Sequence, residues 1–214
     1  MKIAAIIPCY NEEITIKQVI ENMKNYCPKC EIYVFDNNSN DNSYNIAKES
    51  GAIVNKVSYQ GKGEVIRRAF SDIDSDIYIM VDADMQYDLS EINNFINYFM
   101  ENKLDMLNIS REVVDETVHR KGHSFGNMML TGFANFLFGK KFNDMLSGYR
   151  IFSKRFVKSF PANSRGFEIE TELTIYALKM RLPIDEVSAK YIKRPEGSHS
   201  KLNTFKDGFR ILFT

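Results

Sequence analysis

Short apolar runs alternate with amphipathic stretches through the first half of the chain. Apolar runs of strand length lie at residues 2–8, 31–35, 52–57 and 77–81. Between the first two, apolar residues recur at helical spacing from Ile16 to Met23. A short helix that ends at Gly51 is expected after the second run, and a third helix is expected to open at Gly61. Strands that alternate with helices at this pitch predict an α/β fold, with a mostly parallel central sheet in a three-layer sandwich.

The second half continues the alternation less regularly. We expect a helix at 92–100, a strand at 106–109, a turn leading into a strand at 144–152, a helix at 166–180 and a late edge strand at 187–191. Residues 111–123 mix charges without periodicity, which predicts a loop, and 125–138 has a helical pattern. Asn11 and Ser90 stand where helix N-caps are expected.

No internal repeat or linker interrupts the chain, so we expect one domain over residues 1–214. The last ten residues, 205–214, form an amphipathic pattern. This helix either lies at a membrane surface or continues into a further segment, and the sequence does not distinguish the two. No apolar run approaches the roughly 18 residues that a membrane span requires.

Composition narrows the class of protein. The 28 basic and 28 acidic residues cancel, so no global field favours nucleic acid, and an anion site must be built locally. An apolar fraction of 44% is typical of a globular chain. The three cysteines fit a reduced, cytosolic setting. Cys27 and Cys30 have C-x-x-C spacing without a second ligand pair, which favours plain thiols over a zinc site.

Acidic side chains follow the apolar run at 77–81. Asp82 and Asp84 flank Ala83, and Gln86 follows at the same spacing, so an extended backbone would direct all three side chains to one side. Two carboxylates and an amide oxygen suit Mg²⁺ or Mn²⁺. Taken alone, a D-x-D segment is better explained as a solvated turn after a strand, and the rest of the chain has to support a metal site.

Polar residues also follow the other expected strands. Because ligands gather at the carboxyl ends of parallel strands, Asn11, Glu12, Asp36 and Lys62 are expected to share one edge of the sheet with Asp82. Lys62 stands between two glycines at a helix start, where an ammonium and backbone amides can meet an anion. A generic Gly-Lys-Gly turn is the alternative interpretation.

Seven segments in a fixed order carry a resemblance to a known family. They are IPCYNEE, DNNSND, GKGEVIRRAF, DADMQ, DMLSGYRIF, GFEIETEL and RPEGSHSKLNTFKDGFRIL. Together they span nearly the whole chain, which resembles the family 2 glycosyltransferases of GT-A fold. Within that family it is similar to the branch of dolichyl-phosphate mannose synthase, whose members charge polyprenyl phosphates with a sugar.

The resemblance implies a nucleotide diphosphate sugar as donor. Asp84, Asp144 and Arg150 are implied as catalytic, and the metal would be held by Asp82, Asp84 and Gln86. The implied donor site comprises Pro8, Tyr10, Asn11, Glu12, Asp36, Lys62, Asp82, Arg194, Ser200 and Lys201. His199 is expected to be an exposed loop residue. The residues Asp36-Asn37-Asn38 depart from the family pattern and leave uridine and guanosine open, with UDP favoured.

A phosphate acceptor needs positive charge more than a base, because a phosphate monoester is largely ionised at neutral pH. Arg111, Arg120, His123 and Arg150 are the candidates to bind it, with solvated loop residues as the alternative for Arg111 and Arg120. Asp144 would orient Arg150 if the acceptor is a phosphate. It would be the general base if the acceptor is a sugar hydroxyl.

These observations predict an inverting, metal-dependent transferase that moves a sugar to a polyprenyl phosphate at the cytoplasmic face of the membrane. Peripheral membrane contact is expected, nucleic acid is not, and a homo-oligomer or a small membrane partner would be compatible. A transferase with a saccharide hydroxyl acceptor in cell-surface polysaccharide synthesis is the alternative. Nucleotidyltransferases and dinucleotide-binding enzymes are disfavoured because IPCYNEE contains no glycine.

Overall fold

The structure is a computed structural model that describes residues 1–113, 131–132, 135–136, 139, 142–199 and 201. Its strands are β1 (Ile3–Cys9), β2 (Cys30–Asp36), β3 (Ile53–Lys56), β4 (Ile77–Met80), β5 (Met106–Val113), β6 (Arg150–Ser153) and β7 (Ile184–Tyr191). Its helices are α1 (Ile16–Tyr26), α2 (Ser43–Glu49), α3 (Lys62–Asp72), α4 (Ile92–Glu101), α5 (Lys154–Ser159) and α6 (Ile169–Lys179).

The seven strands form one sheet in the order β3-β2-β1-β4-β6-β5-β7. The pairs among β1, β2, β3 and β4 are parallel, and β5 pairs with β7 in parallel. Strand β6 enters between β4 and β5 and is antiparallel to both. The expected mixed α/β architecture with a mostly parallel sheet is therefore confirmed, with one strand reversed.

Strand β1 is buried on both faces, which explains its unbroken apolar sequence. Ala5 and Ile7 belong to one hydrophobic cluster, which includes residues of α1 and α4. Ala4 and Ile6 belong to a second cluster, which includes residues of α3, α5 and α6. Alternate side chains of one strand therefore pack against different helices.

Several local expectations are corrected. Helix α1 begins at Ile16, so Asn11 is not its cap, and the residue before α4 is Glu91 rather than Ser90. Strand β5 extends to Val113, since residues 106–113 pair in register with 184–191 of β7. The expected loop therefore does not begin at 111. The remainder of that loop, much of the helix expected at 125–138 and the helix expected at 205–214 lie outside the described residues.

The cysteines also differ from expectation. Cys27 and Cys30 are joined in a disulfide between α1 and β2, whereas both were expected to be thiols. Cys9 is a free, buried thiol. Among the helices of the described ranges, none is both long and apolar enough to cross a bilayer.

Candidate active site

The carboxyl ends of β1, β2 and β4 bring the expected polar residues to one edge of the sheet. The chain beyond each strand stays attached to its neighbour: Asn37 N donates to Cys9 O at 2.8 Å, and Val81 N donates to Ile6 O at 3.1 Å. Beyond Val81 the backbone turns, and Met85 adopts a left-handed conformation with φ 61°. The three metal-binding candidates therefore lie on a turn rather than on an extended strand.

Asp82 is the more exposed carboxylate of this turn. Its Oδ1 accepts from Lys62 Nζ at 2.5 Å, and its side chain is 28% exposed. Gly148, in the turn before β6, packs against the other oxygen so closely that a Cβ at position 148 would overlap Oδ2. The carboxylate is thus held between an ammonium group and a glycine.

Asp84 is buried and faces a second cation. Its Oδ1 accepts from Gln86 N at 3.1 Å, and its Oδ2 accepts from Arg194 Nη2 at 2.6 Å. Burial, followed by repulsion from Asp82, raises the pKa of Asp84 to about 6, while Arg194 opposes the rise. The fold thus holds two acidic groups together at an electrostatic cost, which a bound cation would relieve.

The amide oxygen of Gln86 is already engaged. Oε1 accepts from Tyr191 OH at 2.9 Å and from Arg194 Nε at 2.9 Å, while Nε2 donates to Ile192 O at 3.1 Å. Gln86 therefore fastens the turn to the end of β7 and to Arg194.

The described residues contain no group of three or more His, Cys, Asp and Glu side chains placed to hold a metal. Asp82 and Asp84 nevertheless fit Mg²⁺ or Mn²⁺ in donor chemistry, because such ions keep water or substrate oxygens in their other positions. The strained, like-charged pair supports this fit. Arg194 would have to release or share Asp84 Oδ2 for an ion to bind there.

The late basic segment, of which 193–199 and 201 are described, folds back over this edge and is held by Glu12. The buried Glu12 carboxylate accepts from Arg194 Nη1 at 3.3 Å, Ser198 Oγ at 3.0 Å and Lys201 Nζ at 3.1 Å. Lys201 also donates to Asn11 O at 2.7 Å. Glu12, an expected donor-binding residue, therefore anchors the basic segment. Ser200 lies outside the described residues.

Asp36, at the end of β2, has a carboxylate oxygen without a hydrogen-bond partner in the described part of the chain. Its Oδ2 accepts from Ser39 N at 3.4 Å, whereas the buried Oδ1 has no hydrogen bond to any described residue. A buried carboxylate oxygen without a donor is costly, so this atom is suited to a ligand N–H or O–H group.

Pro8, Tyr10 and Asn11 are partly buried at the same edge. Asn11 has φ 52° and accepts from Asn40 N through Oδ1 at 2.8 Å, while its own N–H donates to Ser39 Oγ at 3.0 Å. Its side chain therefore links the segments that follow β1 and β2.

The start of α3 does not offer the expected anion site. Lys62 Nζ lies between two carboxylates, at 2.5 Å from Asp82 Oδ1 and 2.5 Å from Glu170 Oε1. The amides of Gly63 and Glu64 donate to the carbonyls of Gly166 and Arg165. The glycines instead allow the backbone of residues 164–166 to approach, since a Cβ at position 61 or 63 would overlap it.

Arg111 and Asp144 form a bidentate pair near Tyr191. Nε and Nη2 of Arg111 donate to Oδ2 and Oδ1 of Asp144, each at 2.6 Å, and the guanidinium carbon lies 5.5 Å from the Tyr191 ring centroid. Burial disfavours the charged guanidinium, but Asp144, together with Tyr87 and Tyr191, outweighs this effect and raises the pKa of Arg111. Arg120 and His123 lie outside the described residues.

Arg150 is buried inside the protein, with 0% of its surface exposed. It donates to Met145 O at 2.5 Å, to Ser147 O at 3.0 Å and to Thr174 Oγ1 at 2.8 Å. The expectation that Arg150 contacts the acceptor is therefore replaced by a structural role. Among the residues described, Asp144 binds the guanidinium of Arg111 and not that of Arg150, which also corrects its expected role.

Two residues that contact the site were not predicted from the sequence. Glu170 and Gly148 were not among the predicted site residues. A signal for Glu170 was present, because an acidic residue between Ile169 and Leu173 stands within the apolar face of α6. Gly148 offered no signal beyond its place in DMLSGYRIF.

The glycosyl transferase family 2 model matches residues 4–160. Protein RfbJ of Shigella flexneri is 49% identical over 122 residues, which cover 56% of this chain and 95% of that protein. The UDP-N-acetylglucosamine–dolichyl-phosphate N-acetylglucosaminyltransferase of Methanococcus voltae is 30% identical and aligns with 97% of this chain and 92% of its own length.

Among solved structures, glucosyl-3-phosphoglycerate synthase from Mycobacterium tuberculosis in complex with Mn²⁺, UDP and glucosyl-3-phosphoglycerate superposes with a TM-score of 0.71. The match covers 91% of this chain and 73% of the synthase at 22% identity, so it shows the shared GT-A fold alone. Because the family model covers most of the chain and the Methanococcus voltae enzyme aligns over nearly its full length, the chain belongs to the family 2 glycosyltransferases.

Proposed function

We propose that this glycosyltransferase moves a sugar from a UDP-sugar to a polyprenyl phosphate, with inversion and with a divalent metal ion. The observation that carries the proposal is the placement of the Asp82–Asp84 pair and the unpartnered Asp36 Oδ1 at one edge of the sheet. The Methanococcus voltae relative, which is named for a UDP-sugar and a dolichyl phosphate, supports the donor and the acceptor. The superposed synthase, which was crystallised with UDP and Mn²⁺, supports the nucleotide and the metal.

Each part of the UDP-sugar donor has a candidate binding residue at this edge of the sheet. Asp36 Oδ1 would accept a hydrogen bond from the base or ribose, with Pro8 and Tyr10 beside it. Arg194 and Lys201, both fastened to Glu12, would bring positive charge to the diphosphate. When bound to Asp82 and Asp84, Mg²⁺ or Mn²⁺ would stabilise the charge of the departing nucleoside diphosphate.

The transfer itself is a single displacement at the anomeric carbon. The bond from this carbon to the acceptor oxygen forms as the bond to the diphosphate oxygen breaks, and the electron pair leaves with the nucleotide. The second pKa of a phosphate monoester is about 6, so the acceptor is largely ionised at neutral pH and attacks without a general base. Arg111 would bind it by sharing its guanidinium between the phosphate and Asp144, together with Arg120 and His123.

A polyprenyl acceptor places the enzyme at a membrane. We therefore propose peripheral contact at its cytoplasmic face, through the end of the chain that includes 205–214, with residues 1–214 acting as one catalytic domain. A homo-oligomer or a small membrane partner remains compatible with this arrangement.

Calorimetry with UDP and with GDP, each with and without Mn²⁺, tests the donor site. We expect UDP to bind more tightly than GDP and Mn²⁺ to strengthen its binding. Tighter binding of GDP, or no dependence on the metal, would contradict the proposed donor or cofactor. A panel of radiolabelled UDP-sugars with a short polyprenyl phosphate then tests the acceptor and identifies the sugar.

One observation favours a second candidate, a saccharide hydroxyl as acceptor. The Arg111 pair keeps Asp144 beside a cation, which favours the carboxylate form that a general base requires. Under this alternative, label would pass to an oligosaccharide and not to the lipid phosphate. Asp144→Asn would then abolish turnover, whereas with a phosphate acceptor the same variant would retain measurable activity.

A further inference from the structure

Lys62 and Glu170 form an ion pair directly behind Asp82. The Lys62 ammonium lies 2.5 Å from Glu170 Oε1 and 2.5 Å from Asp82 Oδ1. The side chains of Lys62 and Glu170 are 9% and 5% exposed, compared with 28% for Asp82. Of the three groups, Asp82 is therefore the one that presents an appreciable surface to a ligand.

The three groups are one ammonium and two carboxylates, so together they have a net charge of −1 that can attract a cation. If Lys62 were paired with Asp82 alone, the ammonium would cancel the carboxylate charge and weaken its attraction for a cation. Glu170 shares the ammonium and so restores that charge.

The backbone fixes this arrangement from both sides. The start of α3, which carries Lys62, is fastened by hydrogen bonds from Gly63 N and Glu64 N to carbonyls of 165–166, just before the helix that carries Glu170. On the opposite side of Asp82, Gly148 packs directly against Oδ2, so that a Cβ at position 148 would overlap this oxygen. Small movements of Lys62 would therefore be transmitted to the Asp82 carboxylate.

We propose that Glu170 is a positioning residue that acts through Lys62 to orient Asp82 and to leave a net negative charge there for a divalent ion. This inference rests on the proposed metal-dependent function. Under this inference a residue of α6 influences the affinity for the metal ion, although Glu170 itself would contact neither the ion nor the substrate. Groups hydrogen-bonded behind metal ligands commonly alter metal affinity by about 10- to 100-fold.

The test measures free Mn²⁺ by electron paramagnetic resonance in titrations of the full chain, with and without UDP. Glu170→Gln removes the charge but keeps the shape, so Lys62 would neutralise Asp82 and Mn²⁺ would bind about tenfold more weakly. Lys62→Met removes the ammonium, so Mn²⁺ would bind more tightly than to the wild type. Opposite shifts are expected because the effect is one of charge.

Glu172→Gln serves as the matched control on the same helix. Its carboxylate accepts from Asn163 N at 2.8 Å and from Ser164 N at 2.7 Å, so it is engaged by backbone amides rather than by the Lys62 ammonium. We expect this variant to bind Mn²⁺ as the wild type does. Equal weakening in all three variants, accompanied by lower melting temperatures, would indicate a purely structural role and overturn the inference.

If Glu170→Gln fails to fold, Glu170→Asp decides the question, because the shorter side chain withdraws its carboxylate from the Lys62 ammonium and leaves more of that positive charge to Asp82. Mn²⁺ affinity between that of the wild type and a tenfold loss supports the inference, and unchanged affinity overturns it. A wild-type chain that binds neither Mn²⁺ nor UDP would overturn the proposed function and this inference together. Wild-type binding with no shift in any variant overturns the inference alone.

Discussion

Arg194 Nη2 donates to Asp84 Oδ2 at 2.6 Å, across 110 residues of sequence. The same guanidinium donates to Gln86 Oε1 and Glu12 Oε1, so one side chain holds three members of the expected donor and metal sites. The positive charge that faces Asp84 is therefore the guanidinium of Arg194. Ion binding at this carboxylate would compete with the guanidinium.

Arg194→Gln should separate metal binding from nucleotide binding. Loss of the guanidinium frees Asp84 Oδ2 and removes a positive charge, so Mn²⁺ should bind about tenfold more tightly without nucleotide. UDP should bind more weakly because its diphosphate loses a cationic partner. Calorimetry with each ligand alone measures both effects. Arg68→Gln, which removes an exposed arginine paired with Asp72, is the control; weaker Mn²⁺ binding in Arg194→Gln would contradict the competition.

Asp84→Ala should abolish metal-dependent turnover. The substitution removes one of the two carboxylates of the pair and leaves Arg194 without its shortest contact. A radiolabel transfer assay at increasing Mn²⁺ concentration measures the loss, with Asp72→Ala as the control. Undiminished activity in Asp84→Ala would refute the metal assignment.

Gly148→Ala should disturb Asp82 without removing any functional group. A Cβ at this position would overlap Asp82 Oδ2, so the carboxylate must rotate or the turn must shift. We expect weaker Mn²⁺ binding and a destabilisation of about 1–3 kcal/mol, as overpacked sites show. Gly132→Ala is the matched control, because a Cβ at position 132 meets no atom of the described residues within 4 Å. Wild-type Mn²⁺ affinity in Gly148→Ala would show that Asp82 is not confined there.

Arg150→Met should destabilise the fold rather than impair acceptor binding alone. The substitution leaves the buried carbonyls of Met145 and Ser147 without this donor. We expect a loss of about 3 kcal/mol in the free energy of unfolding, measured by urea denaturation. Arg165→Met, at a side chain that is 83% exposed, should change stability by less than about 0.5 kcal/mol. Normal stability with selective loss of acceptor turnover would restore Arg150 to the acceptor site.

The cysteines give a test of the disulfide and of burial. Burial is the main cause that raises the pKa of Cys9 from 9.0 to about 12, so the native thiol should not react with Ellman's reagent at pH 8. One thiol should react in denaturant and three after reduction. Because the folded chain holds this proton more tightly, the contribution of Cys9 to stability should be lost as pH rises from 9 towards 12. Three reactive thiols in denaturant without reductant would contradict the disulfide.

The sequence alone determined the order of most strands and helices, because apolar periodicity is a local property that burial on one or two faces imposes; the short helix α5 (Lys154–Ser159) was not predicted. Runs such as 2–8 and 77–81 identified β1 and β4, and the polar residues that follow them converge because parallel strands end at one edge. The sequence did not reveal that β6 is inserted antiparallel between β4 and β5, because an apolar pattern does not show in which direction its strand runs in the sheet.

Only the tertiary structure decided which charges meet. Lys62 faces Glu170, Arg111 faces Asp144 and Arg194 faces Asp84, and each pair joins segments that are distant in sequence. The residue types permitted many such pairings. The packing of α3 against the segment before α6 selected one of these pairs. The contacts of Arg194 and Lys201 with the residues that follow β1 and β4 fixed which side chains come within hydrogen-bonding distance there.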